Sequence, residues 1–269
     1  MIQESFVDGA CEPDEGSLNG VALRTFVSQR CGARGFSTGT ATFRGGTELP
    51  YHWHECSEAI SILRGTAIVI VERRAYHLNR LDCMHIPSGI PHLVRNASED
   101  MELVAHWSFA SAEPTRTFVD GPLSIEDRGS GSPSSRDPES LRRFAEAEVY
   151  ELSKGAWFRD LFAKRFGSEG ICGGYGRFSP ASSLPCHTHH YDESITILSG
   201  DAICLVQGAR YSIKGLHNAF VPQGKPHRFL NDGGSDMEML WVYAGDEPDR
   251  NLIDAGYCSG SLVWPEQSR

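Results

Sequence analysis

Two groups of three histidines and one glutamate stand at matching positions in this 269-residue sequence. The first group is His52, His54, Glu58 and His92, and the second group is His187, His189, Glu193 and His227. Imidazole nitrogens and a carboxylate together suit a divalent transition metal such as iron, manganese, nickel or zinc. Four protein ligands around an octahedral ion leave two positions for water, dioxygen or substrate. We therefore predict two metal sites, each with room for a small-molecule substrate.

Strand geometry explains how residues so close in sequence could meet at one ion. His52 and His54 are two residues apart, so in a β-strand both side chains project from the same face. Glu58 begins the next apolar run, and His92 follows a Pro-x-Gly-x-Pro turn that is rigid enough to return a distant histidine to that face. The second group has the same local setting, which a chance scatter of surface histidines would not produce.

The matched groups belong to a longer internal repeat. A shift of 135 residues superposes the two copies from Gly20 to Asn96 without a gap. Beyond that point, the alignment assumes one extra residue in the second copy within 232–235, and Met101 then aligns with Met237. The repeat predicts two copies of one fold.

Each copy has the pattern of a series of short β-strands. In the first copy, apolar or alternating runs rich in β-branched residues are separated by turn-forming residues. These runs span residues 36–43, 59–63, 67–71, 76–78, 83–86 and 101–109. Short strands with close turns are typical of a sandwich or small barrel, so we predict an all-β protein.

A segment rich in glycine, serine and proline separates the two copies. Residues 129–135 have the sequence Gly-Ser-Gly-Ser-Pro-Ser-Ser, which offers nothing to bury and predicts a flexible linker. Asp137 followed by Pro138 is a helix-start pattern, and it predicts a helix that ends near Leu152. The predicted domains are an N-terminal barrel over 1–120, the linker over 121–137, and the helix with a C-terminal barrel over 138–269.

Composition narrows the class of partner. Twenty-five basic against 35 acidic residues give a net charge of −10, and no basic run stands out, which argues against nucleic acid or an anionic membrane. The longest apolar runs, such as residues 67–71, are far too short to cross a bilayer. A small-molecule substrate is the expected partner, and the assembly is expected to be a monomer or a homodimer.

The compartment is predicted from the first residues and from the cysteines. Residues 1–20 have no basic start and no apolar block, so they do not resemble a secretory signal. Eight cysteines without a CxxC pair indicate reduced thiols rather than a disulfide framework. We therefore expect a cytoplasmic protein.

These motifs resemble those of the cupin superfamily. The run from Gly46 to Gly65 has the spacing of the first cupin motif around its two histidines and glutamate. The Pro-x-Gly-x-Pro turn before His92 matches the second motif, although Leu81 replaces its opening glycine. The second copy fits nearly as well. The resemblance implies a bicupin, with two tandem double-stranded β-helix (jelly-roll) barrels packed as a pair and a metal in the mouth of each.

The resemblance does not by itself select a reaction, because similar cupins include dioxygenases, decarboxylases, isomerases, aminohydrolases and proteins that only bind or store ligands. A divalent ion against one carboxylate leaves a formal charge of +1, which favours an anionic donor such as an enolate, catecholate or carboxylate. Our leading hypothesis is a non-haem dioxygenase with quercetinase-like chemistry that acts on a small anionic or enolic metabolite. The alternatives are a metal-dependent decarboxylase, isomerase or aminohydrolase, and a non-catalytic metal-binding or small-molecule-binding protein.

The sequence offers only weak candidates for further chemistry. Glu55 and Asp192 fall in the ligand loops, and His106 lies on a late strand that could face a barrel interior, so these three are weak catalytic or metal-supporting candidates. Cys56 and Cys186 neighbour ligand histidines and are predicted to be ordinary core residues. A motif also recurs after the last strand of each copy, and we predict that it is a structural cap rather than a substrate site. Its members are Glu113, Pro114, Arg116 and Asp120, answered by Glu247, Pro248, Arg250 and Asp254.

Overall fold

The fold is built almost wholly from short β-strands. The computed structural model describes residues 4–7 and 15–265 of the chain. Within these residues the α-helix is limited to α1 (Ala255–Ser259), and single 3₁₀ turns occupy Gln29–Cys31, Phe144–Glu146 and Lys164–Phe166. The predicted all-β class is confirmed. In the same part of the chain, no helix has both the length and the apolar character needed to span a membrane.

The strands are numbered in chain order. Those up to residue 118 are β1 (Ser5–Val7), β2 (Glu15–Leu18), β3 (Val21–Val27), β4 (Ser37–Phe43), β5 (Glu48–Trp53), β6 (Glu58–Arg64), β7 (Ala67–Val71), β8 (Arg74–Leu78), β9 (Cys83–Ile86), β10 (His92–Asn96), β11 (Leu103–Phe109) and β12 (Thr117–Phe118). Those that follow are β13 (Glu126–Gly129), β14 (Ser140–Arg142), β15 (Tyr150–Ser153), β16 (Ala156–Phe162), β17 (Cys172–Phe178), β18 (His187–Thr188), β19 (Glu193–Ser199), β20 (Ala202–Val206), β21 (Ala209–Ile213), β22 (Asn218–Val221), β23 (His227–Leu230), β24 (Met237–Tyr243) and β25 (Asn251–Leu252).

Each barrel is a pair of facing sheets, as in a jelly roll. The N-terminal barrel has sheets of order β12-β5-β10-β7-β8-β13 and β14-β9-β6-β11-β4-β3-β2. The C-terminal barrel has sheets of order β21-β20-β23-β18-β25 and β1-β22-β19-β24-β17-β16-β15. Inward side chains such as Ile62 and Val69 fill the first barrel, and Ile197 and Val206 fill the second. The predicted tandem jelly-roll architecture is confirmed.

The two barrels exchange edge strands. β1, near the start of the chain, pairs with β22 of the C-terminal barrel. β14, which lies beyond the predicted linker, pairs antiparallel with β9 of the N-terminal barrel. Each barrel therefore needs a strand from the other half of the chain, and this exchange couples the two halves.

The predicted helix after Pro138 is wrong. The chain forms β14, a 3₁₀ turn and β15 there instead. The Asp137 carboxylate accepts the backbone N–H of Ser134 at 2.7 Å. It therefore bonds to a preceding residue and does not cap a following helix. The open edge of β9 offers β14 a ladder of backbone hydrogen bonds, and this tertiary pairing outweighs the local helix signal.

The predicted linker is partly ordered. Within 121–137, strand β13 pairs in parallel with β8. Arg74 on β8 forms hydrogen bonds of 2.7 and 2.8 Å with Glu139, which holds the chain against the barrel just beyond the linker. The flexibility of the linker and the domain boundaries at 120 and 138 stay predictions.

The barrels pack through the outer faces of their seven-stranded sheets. One apolar cluster contains side chains from both barrels, among them Ala59 and Val104 of the first and Phe220 and Val242 of the second. Polar contacts lie within the same interface, including Thr38 Oγ1 and Ser194 Oγ at 2.8 Å. Burial of this shared surface stabilises the pair as one body.

The repeat register after Asn96 differs from the predicted one. Leu103 pairs with Phe43 across its sheet. Met237 pairs with Phe178, which is the counterpart of Phe43. Leu103 rather than Met101 is therefore the counterpart of Met237, and the second copy is one residue shorter here, not longer. The predicted register rested on an Asp-Met-Glu sequence that occurs at 100–102 and again at 236–238. It was wrong because the turn before this sequence differs in length between the two copies.

A disulfide joins Cys186 to Cys258 across a sequence separation of 72 residues, contrary to the prediction of reduced thiols and of a core role for Cys186. It ties α1 to the residue before His187. Two cysteines so far apart in sequence leave no spacing signal, so only the tertiary structure reveals the pair. Of the described cysteines outside this bond, all are free, namely Cys31, Cys56, Cys83, Cys172 and Cys204.

Candidate metal centres

The first cluster assembles at one end of the N-terminal barrel. β5 carries His52 and leads to His54, β6 begins with Glu58, and β10 begins with His92. His92 pairs directly with His52, so the turn before it returns the ring to the same face. One donor atom from each of the four residues lies within 4.8 Å of the others, and all four residues are buried.

Backbone carbonyls fix the direction of the three imidazoles in this cluster. His52 and His92 each donate from Nδ1 to the carbonyl two residues earlier, at 2.6 and 2.9 Å. His54 Nδ1 donates to the carbonyl of Thr115. A carbonyl can only accept, so each ring carries its proton on Nδ1 and turns the Nε2 lone pair toward the cluster centre.

The second cluster repeats this arrangement in the C-terminal barrel. His187, His189 and His227 are buried and bring one donor each within 4.8 Å of one another. The Glu193 carboxylate lies 2.8 Å from Nε2 of His227 and 3.3 Å from Nε2 of His189. The three Nδ1 atoms again donate to backbone carbonyls, at 2.6 to 2.8 Å, and His189 uses that of Asp249.

The donor spacing fits one ion in each cluster. Two donors at right angles and about 2.1 Å from a metal lie about 3.0 Å apart. The Glu58 carboxylate lies 2.8 Å from Nε2 of His92 and 3.5 Å from Nε2 of His54. The Nε2 atoms of His54 and His189 are buried without a hydrogen-bond partner, a cost that an ion at the centre would remove. Each cluster therefore suits a divalent transition metal.

Electrostatics favour the metal-binding forms of four of the ligands, namely His52, Glu58, His187 and Glu193. Burial, reinforced by the nearby His92, lowers the pKa of His52 to about 3. Burial opposes ionisation of Glu58, but the neighbouring His54 and His92 hold the pKa of its carboxyl well below the ordinary value. The pKa values of His187 and Glu193 in the second cluster shift in the same directions. His189 is the exception, because burial opposes its protonation but Glu193 and Asp249 raise its pKa to about 9, so an ion bound there would displace a proton from this ring.

Comparison with protein families agrees with the geometry. The cupin domain matches the chain twice, over residues 39–109 and 174–243, and each match contains one complete set of ligand candidates. The chain belongs to the cupin family. The resemblance drawn from the sequence motifs is thereby confirmed.

Solved structures of an oxalate decarboxylase from Bacillus subtilis are similar to this cupin. A mutant of that enzyme superposes with a TM-score of 0.75 at 16% identity, over 92% of this chain and 79% of that chain. The same enzyme at pH 4.6 gives a TM-score of 0.70 at 16% identity, over 90% of this chain and 75% of that chain. No curated protein matches this cupin. At such low identity, the likeness shows the shared bicupin fold alone.

Two of the three weak catalytic candidates lie in the ligand loops without joining a cluster. In the described part of the chain, neither cluster includes Glu55 or Asp192. Glu55 is exposed. Asp192 is buried, but its carboxylate accepts the backbone N–H of Arg34 at 2.9 Å and that of Gln223 at 2.7 Å. Because Arg34 belongs to the other barrel, Asp192 links the two barrels.

The third candidate, His106, is buried between the barrels rather than inside one. Its Nε2 lies 3.2 Å from Thr196 Oγ1 of the C-terminal barrel. Strand alternation places its neighbours Ala105 and Trp107 on the interior face, so the prediction that His106 faces the interior was wrong. Burial lowers the pKa of His106 to about 4. It is therefore a neutral interface residue at physiological pH.

A cavity of about 390 Å³ opens on the N-terminal cluster. Its lining includes His54 itself, the rings of Trp107 and Phe109, and the side chain of Arg116. The Phe109 ring packs against His54 at a steep angle, with centroids 4.5 Å apart. A small molecule in this cavity would therefore reach a cluster residue along an aromatic wall.

The equivalent cavity of the C-terminal barrel is smaller, about 280 Å³, and none of the four cluster residues lines it in the described part of the chain. Tyr243 stands where Phe109 stands in the first barrel, with its ring 4.4 Å from that of His189. Burial and the nearby Glu193 carboxylate raise the pKa of Tyr243 well above its ordinary value. Arg165 forms ion pairs across this cavity with two carboxylates that line it. This cluster is therefore screened from its cavity.

Sequence reasoning missed the residues that distinguish the two sites. The predicted register aligned Trp107 with Tyr243, which concealed the pairing of Phe109 with Tyr243. The Trp-x-Phe and Trp-x-Tyr patterns at 107–109 and 241–243 would have given the correct register. The carbonyls that orient His54 and His189 left no signal, because any residue supplies a backbone carbonyl.

Proposed function

We propose that this cupin is a metal-dependent enzyme that acts on a small anionic or enolic metabolite, with non-haem dioxygenase chemistry as the leading reaction. One observation carries the proposal. In the N-terminal barrel, four buried donors point to one centre, and a cavity of about 390 Å³ reaches the donor His54. A purely structural metal site is closed and has no need of such a cavity.

The charge of the N-terminal cluster favours an anionic substrate. Glu58 is the one carboxylate among its four donors. A divalent ion there keeps a formal charge of +1 and would supply Lewis-acid and redox chemistry. An enolate, catecholate or carboxylate would neutralise that charge.

The aromatic wall gives this substrate an apolar surface formed by two tilted rings. The rings of Trp107 and Phe109 have centroids 5.3 Å apart and line the approach to His54. A planar enolic or aromatic molecule gains contact area against such rings. The wall also excludes water, and so strengthens attraction between the bound anion and the cluster.

A metal-dependent decarboxylase is the second candidate. The likeness in fold to oxalate decarboxylase from Bacillus subtilis favours it. Loss of carbon dioxide leaves a carbanion that must be protonated, so a decarboxylase needs an acid near the substrate. Glu113 lines the N-terminal cavity and is the residue that would take this role. An isomerase, an aminohydrolase and a non-catalytic binding protein have no observation of their own.

The compartment and the assembly stay predictions. A disulfide such as Cys186–Cys258 is uncommon in a reducing cytosol and weighs against the predicted cytoplasmic location. The predicted absence of a nucleic-acid partner, and the choice between monomer and homodimer, await measurements of binding and of mass in solution.

The test begins with metal analysis of anaerobically purified protein. We expect about two metal equivalents per chain, and about one in each of the single variants His54→Ala and His189→Ala. The intact protein is then given enolic, catecholic and dicarboxylic compounds while oxygen uptake and carbon dioxide release are recorded.

The two readouts separate the candidate reactions. Oxygen consumed in proportion to substrate supports the dioxygenase, and carbon dioxide released without net oxygen consumption supports the decarboxylase. Ligand binding without either change supports a binding protein. A chain that takes up no transition metal under these conditions would contradict the proposal.

A further inference from the structure

The N-terminal cavity contains hydrogen-bonding groups that no other part of the described chain uses. Ser37 Oγ, Trp107 Nε1 and Arg116 Nε are all buried atoms without a hydrogen-bond partner, and all three side chains line this cavity. Ser37 is almost wholly buried, with 1% of its surface exposed. Buried polar groups are rarely left unpaired in folded proteins. Three of them around the cavity that opens on His54 indicate a ligand. Trp241 Nε1 and Arg250 Nε, which line the C-terminal cavity, are also buried and unpaired, so the charge of the lining has to distinguish the two cavities.

The chemistry of these groups defines the ligand. The indole and the guanidinium can only donate hydrogen bonds, and the serine hydroxyl can donate or accept. Two donors that cannot accept, one of them charged, call for an oxyanion. A carboxylate can accept several such bonds at once and is the planar partner that a guanidinium matches best.

The indole is held in place by a glycine. A Cβ atom on Gly39 would lie 2.0 Å from the Arg24 carbonyl oxygen and 2.2 Å from Cζ2 of Trp107. No side chain at position 39 could therefore coexist with this placement of the ring. Gly174 provides the same space for Trp241 in the other barrel.

The two cavities differ in charge. Arg30 and Arg116 face the single carboxylate Glu113 in the N-terminal cavity. In the C-terminal cavity, two arginines face three carboxylates, because aspartates replace two threonines. Asp160 replaces Thr25, and Asp249 replaces Thr115. The N-terminal lining is therefore net positive and the C-terminal lining net negative, so an anion is attracted to the first and repelled by the second.

We propose that the N-terminal cavity is the substrate site, and that Arg116, Trp107 and Ser37 bind a carboxylate of the substrate beside His54. The C-terminal cavity takes no anion, since two of its three carboxylates already pair with Arg165. The inference deepens the proposed function, on which it rests for the metal, and it assigns the reaction to one barrel. It also replaces the predicted role of Arg116 as part of a structural cap.

The test measures carboxylate binding to the metal-loaded full-length protein by calorimetry, with salicylate, benzoate and oxalate as probes. We expect one binding site per chain for at least one of them. Arg116→Gln should weaken that binding by about 10-fold to 100-fold, because it removes a charged hydrogen bond. Trp107→Phe and Ser37→Ala should each weaken it by about 2-fold to 10-fold.

The second barrel supplies matched controls. Arg250→Gln and Trp241→Phe remove the equivalent groups from the C-terminal cavity and should change the dissociation constant by less than about 2-fold. A third pair of variants compares a charged and a neutral side chain of similar size at one position of the N-terminal cavity. Thr25→Asp should weaken carboxylate binding strongly, whereas the neutral Thr25→Asn should weaken it much less.

The outcomes distinguish the inference from the proposed function. Three results would overturn the inference: an equal loss of carboxylate affinity from variants in the two barrels, no loss of affinity in Arg116→Gln and Trp107→Phe, or no binding of any probe to metal-loaded protein. Turnover and two metals per chain would still leave the proposed function intact. Carboxylate binding that depends on Arg116 in a protein that takes up no transition metal would overturn the function and leave the anion site. If Arg116→Gln fails to fold, Trp107→Phe decides.

Discussion

The two metal clusters share their ligands but differ in their surroundings. In the N-terminal barrel, Phe109 leaves His54 open to a cavity of about 390 Å³. In the C-terminal barrel, the Tyr243 ring packs on His189, and among the described residues none of the four cluster residues lines the cavity. The difference teaches that repeated ligands need not mean repeated function, because access and charge are set by residues outside the ligand set.

The C-terminal barrel has further features that suit a stabilising metal. The disulfide from Cys186 to Cys258 fastens the end of the chain beside His187. β25 pairs with β18 at the same place. A metal there would link segments that are distant in sequence, and its binding energy would stabilise the folded state. We therefore expect the N-terminal site to govern turnover and the C-terminal site to govern stability.

The largest effect should come from removing one ligand in each barrel. His54→Ala is expected to abolish turnover and, because it also loses a bound metal, to lower the melting temperature, though less than His189→Ala does. His189→Ala is expected to keep at least half of the turnover and to lower the melting temperature, because a metal present at 1,000 times its dissociation constant contributes about 4 kcal/mol. Steady-state kinetics and calorimetry on metal-loaded protein measure both. The opposite assignment of turnover would reverse the comparison.

The next largest effect should come from the disulfide, which only the C-terminal barrel has among the described residues. Cys258→Ser is expected to lower the free energy of unfolding by about 2–4 kcal/mol, because the unfolded chain gains freedom when the cross-link is lost. Denaturant unfolding with and without a dithiol reductant measures the change. The reductant should destabilise the native protein and leave Cys258→Ser unaffected, and a similar response in both would count against the bond.

A pH effect should come from the N-terminal side of the interface, where His106 has Leu240 as its counterpart. The folded-state pKa of His106 is about 4 and the ordinary value is 6.5, so the folded state binds fewer protons. Its contribution to stability is complete above pH 6.5 and is lost as the pH falls toward 4. The loss reaches roughly 2 kcal/mol at pH 5.

Unfolding measured at pH 7 and at pH 5 in His106→Gln and in the native protein tests this linkage. The variant should lose less stability over that interval than the native protein does. Parallel losses in the two proteins would show that His106 does not supply this dependence, and that other buried histidines such as His85 do.

The smallest effect should come from exchanging the two aromatic residues. Tyr243→Phe removes a hydroxyl that lies near Glu193 and is expected to loosen metal binding in the C-terminal barrel by about 10-fold. Phe109→Tyr adds a hydroxyl beside His54 and is expected to reduce access to the N-terminal cavity. Metal release to a chelator follows the first variant, and the Michaelis constant follows the second. Equal metal release from native and Tyr243→Phe protein would remove this distinction between the barrels.

Much of the fold and of the candidate site was predictable from local pattern. The eight ligand positions and the all-β class follow from side-chain alternation, turn residues and an internal repeat, all of which are local in sequence. The family match and the buried clusters agree with that prediction. The errors occurred where a distant contact outweighed a local signal. The helix start at Asp137 yielded to strand pairing with β9, and Cys186 found a partner 72 residues away.

Residue spacing was enough to predict that two similar barrels would each bring three imidazoles and a carboxylate together, because the strand and turn spacings constrain these side chains. Which cluster a substrate can reach could be read only from the packing of the sheets. That choice depends on Phe109 and Tyr243, and on charges at positions such as Thr25 and Asp160, which meet the clusters through sheet packing. Their effect on access and charge depends on their distance from the cluster, on their burial and on the groups they pair with, and residue spacing along the chain shows none of these.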